Sequence, residues 1–182
     1  MAAVTHVGPW TEADLAGLPE DGQRYELVEG ALLLNPPPTP RHQIASLWLA
    51  QTLQAGAPAG LVVVEAVGVR IPEGSVLVPD VLLAEREAAV ENRSGVLDAS
   101  VVHLVAEIVS PGSTSMDRLA KPALYARARI PSYWRVELDE GPALHAFRLD
   151  AGTYEHVGTA LPGKPISVGV PFTVTIDPAA LV

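Results

Sequence analysis

The stretch VVHLVAEIVSPGSTSMDRLAK, Val101 to Lys121, decides how the chain is read. Its first half, VVHLVAEIVS, is a β-branched apolar run and the strongest strand signal in the sequence. Alternation puts His103, Val105, Glu107 and Val109 on one face, with Leu104, Ala106 and Ile108 on the other. Both faces are mainly apolar, the pattern of a central strand covered on both sides. A carboxylate there is costly unless it is neutralised, paired or bound to a cation. The small polar loop SPGSTS follows, able to offer hydroxyls and N–H groups to a phosphate and equally able to serve only as a turn and helix cap. Then DRLAKPALYARARI reads as a helix with Leu119, Leu124 and Tyr125 turned inward.

Upstream, TEADLAGLP reads as a short helix, with Thr11 and Asp14 at capping-box spacing. RYELVEGALLLN reads as a hairpin turning at Glu29-Gly30, and Pro36 to Pro40 as a stiff connector. In RHQIASLWLAQTLQAGA, the residues Ile44, Leu47, Trp48, Gln51 and Leu53 recur near a helical period, which predicts an amphipathic helix. LVVVEAVGVRI and SVLVPDVLLA are strand-like, and Glu85 to Ser100 reads as loop or a helical turn. Downstream, YWRVEL, ALHAFRL, TYEHVGTA and FTVTI are strand-like pieces separated by Gly, Pro or Asp. The order predicts an α/β or mixed α+β domain spanning 1–182, with a central mixed sheet flanked by helices, an N-terminal hairpin and C-terminal strands.

The composition limits the functions open to this fold. A length of 182 residues, 48% of them hydrophobic and 18% charged, suits one folded domain rather than a disordered chain. There is no cysteine, which removes disulfides and thiolate metal sites. No apolar run reaches membrane-spanning length, and MAAVTHVGPW has neither the basic flank nor the apolar core of a signal peptide, so a cytoplasmic protein off the membrane is expected. The net charge of −9 argues against a broad surface that neutralises nucleic-acid phosphates, so any nucleic acid must be engaged at a local site. Ten basic residues are Arg, and only Lys121 and Lys164 are Lys. A composition that uses Arg wherever a surface cation suffices makes a retained Lys a candidate for work Arg cannot do. Lys164, in the loop PGKP, needs no such role.

Asp80 repeats the theme of Glu107, because it lies at the Pro79-Asp80 step inside SVLVPDVLLA. Two carboxylates thus sit within apolar strand-like runs, and a lysine follows the second. Hard oxygen ligands converging on one point suit Mg²⁺ or Mn²⁺. Each residue alone has a plainer reading: a turn aspartate, an ion-paired strand glutamate, a solvated helix lysine. His42 can assist the site or be structural, His103 shares the face of Glu107 and can serve only to satisfy it, and Tyr133 and Trp134 read as core before they read as base-stacking groups.

Taken together, RYELVEG, PPPTPRHQ, VPDV, AEIVSPGST, DRLAKPALYARARIPSYWRV and GTYEHV resemble the Uma-two proteins, endonuclease relatives in the PD-(D/E)xK restriction-endonuclease-like superfamily. The resemblance covers roughly Tyr25 to Val157. It implies a restriction-endonuclease-like core that hydrolyses phosphodiester bonds with Mg²⁺ (or Mn²⁺), DNA as the nucleic-acid partner, and a homodimer. Asp80 matches the motif's aspartate and Glu107 its second acid, so these two are the implied metal ligands. The motif's lysine position, two residues after that acid, is Val109 here, and Lys121 on the following helix matches the lysine instead. Glu26 matches an acidic position able to add to the metal shell, and the Ile108 carbonyl is a further implied ligand. Pro122 departs from the pattern: either the helix starts late, near Asp117, or it kinks beside Lys121. A nuclease-fold protein that no longer cleaves and acts as an interaction module is the alternative. An all-β ligand binder would require the Lys121 helix to be absent.

Overall fold

The structure, a computed structural model, describes residues 6–19, 21–110, 116–169 and 171–181. The loop positions 111–115, read above as a phosphate cradle or helix cap, lie outside the described residues. Helix α1 (Glu12–Ala16) opens on the expected capping box, in which Thr11 and Asp14 each satisfy the other's backbone N–H. Strands β1 (Arg24–Val28) and β2 (Ala31–Asn35) form the hairpin. Its two turn residues have positive φ, 48° at Glu29 and 82° at Gly30, the geometry of a tight two-residue hairpin turn. Helix α2 (Pro40–Gly56) begins with Pro40 in its first turn and the Thr39 side chain capping the His42 amide.

Beyond α2 the chain passes back and forth between two sheets. Strand β3 (Leu61–Glu65) lies in a six-stranded sheet, β4 (Gly68–Ile71) and β5 (Ser75–Leu77) in a five-stranded one, and β6 (Val81–Glu85) in the first again. The two strand-like runs of the sequence are therefore each cut in half. LVVVEAVGVRI breaks at Ala66, whose φ of 54° turns the chain out of the first sheet. SVLVPDVLLA breaks at Pro79-Asp80, where proline has no N–H to give a ladder. Helix α3 (Arg86–Glu91) and strand β7 (Val96–Asp98) then fill the segment read as loop or turn.

Strand β8 (Val102–Ile108) lies within the six-stranded sheet, antiparallel to β6 and parallel to β9 (Ser132–Glu137). The meander of β9, β10 (Ala143–Asp150) and β11 (Thr153–Ala160) completes the order β11-β10-β9-β8-β6-β3, a mixed sheet as expected. The five-stranded sheet runs β2-β1-β5-β4-β7. A small pair, β12 (Ile166–Val168) with β13 (Val174–Ile176), follows; β12 is not among the strand-like pieces read from the sequence.

The faces of β8 sort as alternation requires. Leu104, Ala106 and Ile108 pack with Ala45, Leu49 and Leu53 of α2 in one core, and Trp134 joins them. Val105 packs on the other side with Leu124, Tyr125 and Tyr133, and with Val69, Ile71 and Leu77 of the five-stranded sheet. So one face of the central sheet is covered by a helix and the other by the second sheet together with the Lys121 helix. Among the described residues no helix is long and apolar enough to cross a membrane.

Two inward faces differ from expectation. Ile44 and Leu47 are 60% and 53% exposed, while Ala45, Ser46, Leu49 and Leu53 face the sheet. Helix α2 is apolar on both flanks, so periodicity alone cannot orient it, and small Ala45 and Ser46 let its backbone approach the strands. Leu119 is 75% exposed rather than inward. It belongs to a π-helical turn, Met116–Ala120, that runs into helix α4 (Lys121–Arg127). The wider π turn shifts the helical phase, so Leu119 no longer lines up with Leu124 and Tyr125. Winding changes at the residue before Pro122, where an α-turn would set the proline ring against a carbonyl one turn back. Both alternatives read from the sequence have a counterpart here: the described winding opens at Met116, next to Asp117, and it changes pitch beside Lys121.

Candidate active site

The site lies where the two sheets converge, and each crossover of the chain delivers one of its parts. Strand β1 of the five-stranded sheet brings Arg24 and Glu26, which alternation places on the same face. The Pro79-Asp80 break brings Asp80 to the start of β6, and β8 ends with Glu107 and Ile108. The register sets Val81 against Ala106, so the next pair along sets Asp80 against Glu107. Helix α2 contributes His42 from its first turn, and α4 contributes Lys121 and, one turn on, Tyr125.

Three carboxylates are buried together: Glu26, Asp80 and Glu107 are 1%, 5% and 2% exposed. Asp80 Oδ1 accepts from Arg24 Nη1 at 2.8 Å, and Oδ2 accepts the Ile108 N–H at 2.9 Å with His42 Nε2 at 3.1 Å. Burial pushes the Asp80 carboxyl up, but the His42 ring, the Ile108 amide and Arg24 together outweigh it and hold the group below its ordinary value. Glu26 Oε1 accepts the Val78 N–H at 2.7 Å, and Oε2 accepts from Asn35 Nδ2 at 2.9 Å.

Lys121 is itself only 5% exposed. Its Nζ lies 3.0 Å from Glu26 Oε1 and 3.2 Å from Glu107 Oε1, and the Tyr125 hydroxyl donates to that same Glu107 oxygen at 2.6 Å. Burial, followed by the charges of Glu107 and Glu26, pushes the Tyr125 phenol well above its ordinary range, so it stays protonated and keeps donating. Pro122 does not displace the amine from the carboxylates.

The structure thus brings Asp80, Glu107 and Lys121 into one buried cluster, joined through the Glu107-Ile108 step, and adds Glu26 and His42. Ile108 meets Asp80 through its amide N–H. His103 does not satisfy Glu107; its ring nitrogen lies 3.9 Å from Glu85. Tyr133 and Trp134 are core, 1% and 0% exposed. Lys164 is exposed on a turn, as its plain reading requires. Sequence reasoning missed Arg24, Asn35 and Tyr125. Two of these had a signal: Arg24 precedes Glu26 by one strand repeat, and Tyr125 follows Lys121 by one helical turn.

An open cleft of about 510 Å³ lies beside the cluster, with none of the site carboxylates, His42 or Lys121 in its lining. Arg24, Asn35 and Val78 line it, and each is bonded to a site carboxylate; Tyr25, Pro36 and Gln43 line it further out. A second cavity of about 540 Å³, lined by Arg70, Asp98 and His103, includes none of these site residues. Among the described residues no group of three or more His, Asp or Glu side chains converges as a ready ligand set. Asp80 and Glu107, neighbours across β6 and β8, would still supply two hard oxygen donors of the kind a small divalent cation takes.

The sequence model of the Uma2 family, described as "Putative restriction endonuclease", matches residues 13–179. A crystal structure titled as that of a "putative nuclease belonging to DUF820", from Anabaena variabilis ATCC 29413, superposes with a TM-score of 0.67 at 17% sequence identity, covering 90% of each chain. That likeness establishes a shared fold. No curated protein matches the chain. With the family pattern running through nearly all its elements, from the first helix to the last strand, the chain belongs to the Uma2 family.

Proposed function

We propose that this chain is a divalent-cation-dependent endonuclease that hydrolyses phosphodiester bonds in DNA, working in the cytoplasm as a homodimer. The observation that carries the reading is Lys121. A fold with no chemical use for this amine has little reason to hold an ammonium at 5% exposure between two buried carboxylates. The family description and the nuclease-titled fold neighbour support the same reading.

In this mechanism Asp80 and Glu107 hold the cation, Mg²⁺ or Mn²⁺. When bound, such an ion supplies an activated water and positive charge against the phosphoryl oxygens. The chain's own groups do the rest. Glu26 and Glu107 fix Nζ of Lys121, whose positive charge would stabilise the oxygens that gain charge as the phosphate is attacked. Tyr125 keeps Glu107 in one orientation through its short hydrogen bond. His42 and the Ile108 amide do the same for Asp80.

Thermal melting with and without Mn²⁺, together with Mg²⁺-dependent cleavage of a plasmid, tests the proposal. Mn²⁺ should raise the melting temperature of the wild type, because an ion that binds only the folded state stabilises it. Asp80→Asn should lose that rise. Lys121→Arg keeps the charge but replaces a compact ammonium by a larger fork with a higher pKa, and should cost about a hundredfold or more in cleavage rate. Equal melting shifts in wild type and Asp80→Asn would place the ion elsewhere. A normal shift without cleavage would leave a binding module.

A further inference from the structure

Arg24 is the only charged residue lining the 510 Å³ cleft among the described residues, and its guanidinium does not point at solvent but at Asp80, through Nη1 to Oδ1 at 2.8 Å. We propose that Arg24 has two positions: it guards Asp80 until a divalent cation arrives, then swings into the cleft and binds a phosphate of the nucleic-acid substrate. The proposal rests on the nuclease reading above and adds to it a substrate-binding residue.

The first argument is charge. Both oxygens of Asp80 are engaged, Oδ1 by the Arg24 guanidinium and Oδ2 by the Ile108 N–H and His42. A divalent cation held by Asp80 competes with the guanidinium for the same carboxylate and repels it. His42 is common to both arrangements and does not alter the comparison. With Asp80 only 6% exposed, two such cations on one carboxylate are poorly screened, so cation entry favours release of the arginine.

The second argument is reach. The Arg24 side chain is 28% exposed, whereas its partner Asp80 is 6% exposed, so the arginine alone has an open side to move into. Its backbone is held in the hairpin opposite Asn35 and need not move. The third argument is need. A chain of net charge −9 must meet a polyanion with a local cation, and in the cleft Arg24 is the one available, with a planar fork that matches a phosphate.

The test measures two affinities whose changes should have opposite sign. Mn²⁺ is titrated by calorimetry into wild type, Arg24→Gln and Arg24→Lys near neutral pH. A fluorescent duplex oligonucleotide is then titrated with the same proteins in Ca²⁺. Arg24→Gln should bind Mn²⁺ about tenfold more tightly and the oligonucleotide about tenfold more weakly, because one charged hydrogen-bond partner is removed from each equilibrium. Mn²⁺ binding that is equal or weaker in Arg24→Gln overturns the guarding position, and unchanged oligonucleotide binding overturns the phosphate position. Should Arg24→Gln fail to fold, Arg24→Lys decides. It keeps a charge at Asp80 without a two-pronged fork, so oligonucleotide affinity should fall while Mn²⁺ affinity holds, and no change in either defeats the proposal. Asp80→Asn separates this outcome from failure of the nuclease reading: Mn²⁺ binding equal in wild type and Asp80→Asn, or missing from both, sinks that reading whatever Arg24 does.

Discussion

The two lysines of the chain occupy opposite environments. Lys121 is 5% exposed, with its ammonium between Glu26 and Glu107, and Lys164 sits exposed on a turn whose backbone groups pair with Leu161. Any cation would serve at position 164. At position 121 the amine is small enough to fit under α4 and between two side chains, which the planar guanidinium of Arg is not. The contrast shows that a composition rich in Arg and poor in Lys carries information, but only one residue at a time. Rarity nominates both lysines, and burial separates them.

The strongest way to break that contrast is to remove each ammonium. Lys121→Met leaves two carboxylates buried without their shared cation, and should cost about 3 to 5 kcal/mol in a denaturant titration. Lys164→Met should stay within about 0.5 kcal/mol of wild type. If the two variants lose equal stability, the Lys121 ion pairs are not what the geometry says. Adding Glu107→Gln to Lys121→Met should recover part of the loss, since the stranded charge is then removed with its partner.

A smaller effect tests the support of Lys121 rather than the amine itself. Tyr125→Phe keeps the ring in its core and deletes only the hydroxyl that donates to Glu107 at 2.6 Å. Hydrogen bonds to charged groups contribute about 1.5 to 3 kcal/mol, so the melting temperature should fall clearly but less than for Lys121→Met. An unchanged melting temperature would mean that the Tyr125 hydroxyl is not needed to hold Glu107.

How much of this was legible in the sequence depends on whether the signal was local. The two faces of β8 were legible because alternation is a property of one strand, and Leu104, Ala106 and Ile108 do pack apart from Val105. Asp80 and Glu107 stood out because carboxylates inside apolar runs require a partner. The division of LVVVEAVGVRI and SVLVPDVLLA between two sheets was not legible, since nothing in an apolar run names the strand it will pair with. The facing of α2 was hidden by Ile44 and Leu47, apolar residues on its outer side. Leu119 was misplaced because a 3.6-residue period does not foresee a π turn. Pro122 was a visible warning of irregular winding, and the helix adapts to it without losing the lysine. Arg24 escaped notice because its role depends on Asp80, 56 residues away.

The smallest effect concerns an exposed relative of the buried cluster. Arg118, from the π turn that leads into Lys121, makes a two-pronged contact with Glu137 of β9, at 3.0 and 2.8 Å. Arg135 Nε lies 2.8 Å from the same carboxylate, in a contact of charge rather than hydrogen bonding. Burial pushes Glu137 up, but Arg118 and Arg135 outweigh it and hold the carboxyl below its ordinary 4.5. A carboxyl depressed in the folded state contributes stability that is fully present above its unfolded pKa and is lost as pH falls through the folded one. Wild type should therefore exceed Glu137→Gln near neutral pH, and the gap should close as the pH drops below 4.5. Because Arg118 is 48% exposed and screened by water, the gap should be below about 1 kcal/mol. Melting curves of both proteins across the acid range measure it. A gap that persists at the acid end would mean that Glu137 holds the π turn by packing rather than by charge, and the contrast between buried and exposed ion pairs would then rest on Lys121 alone.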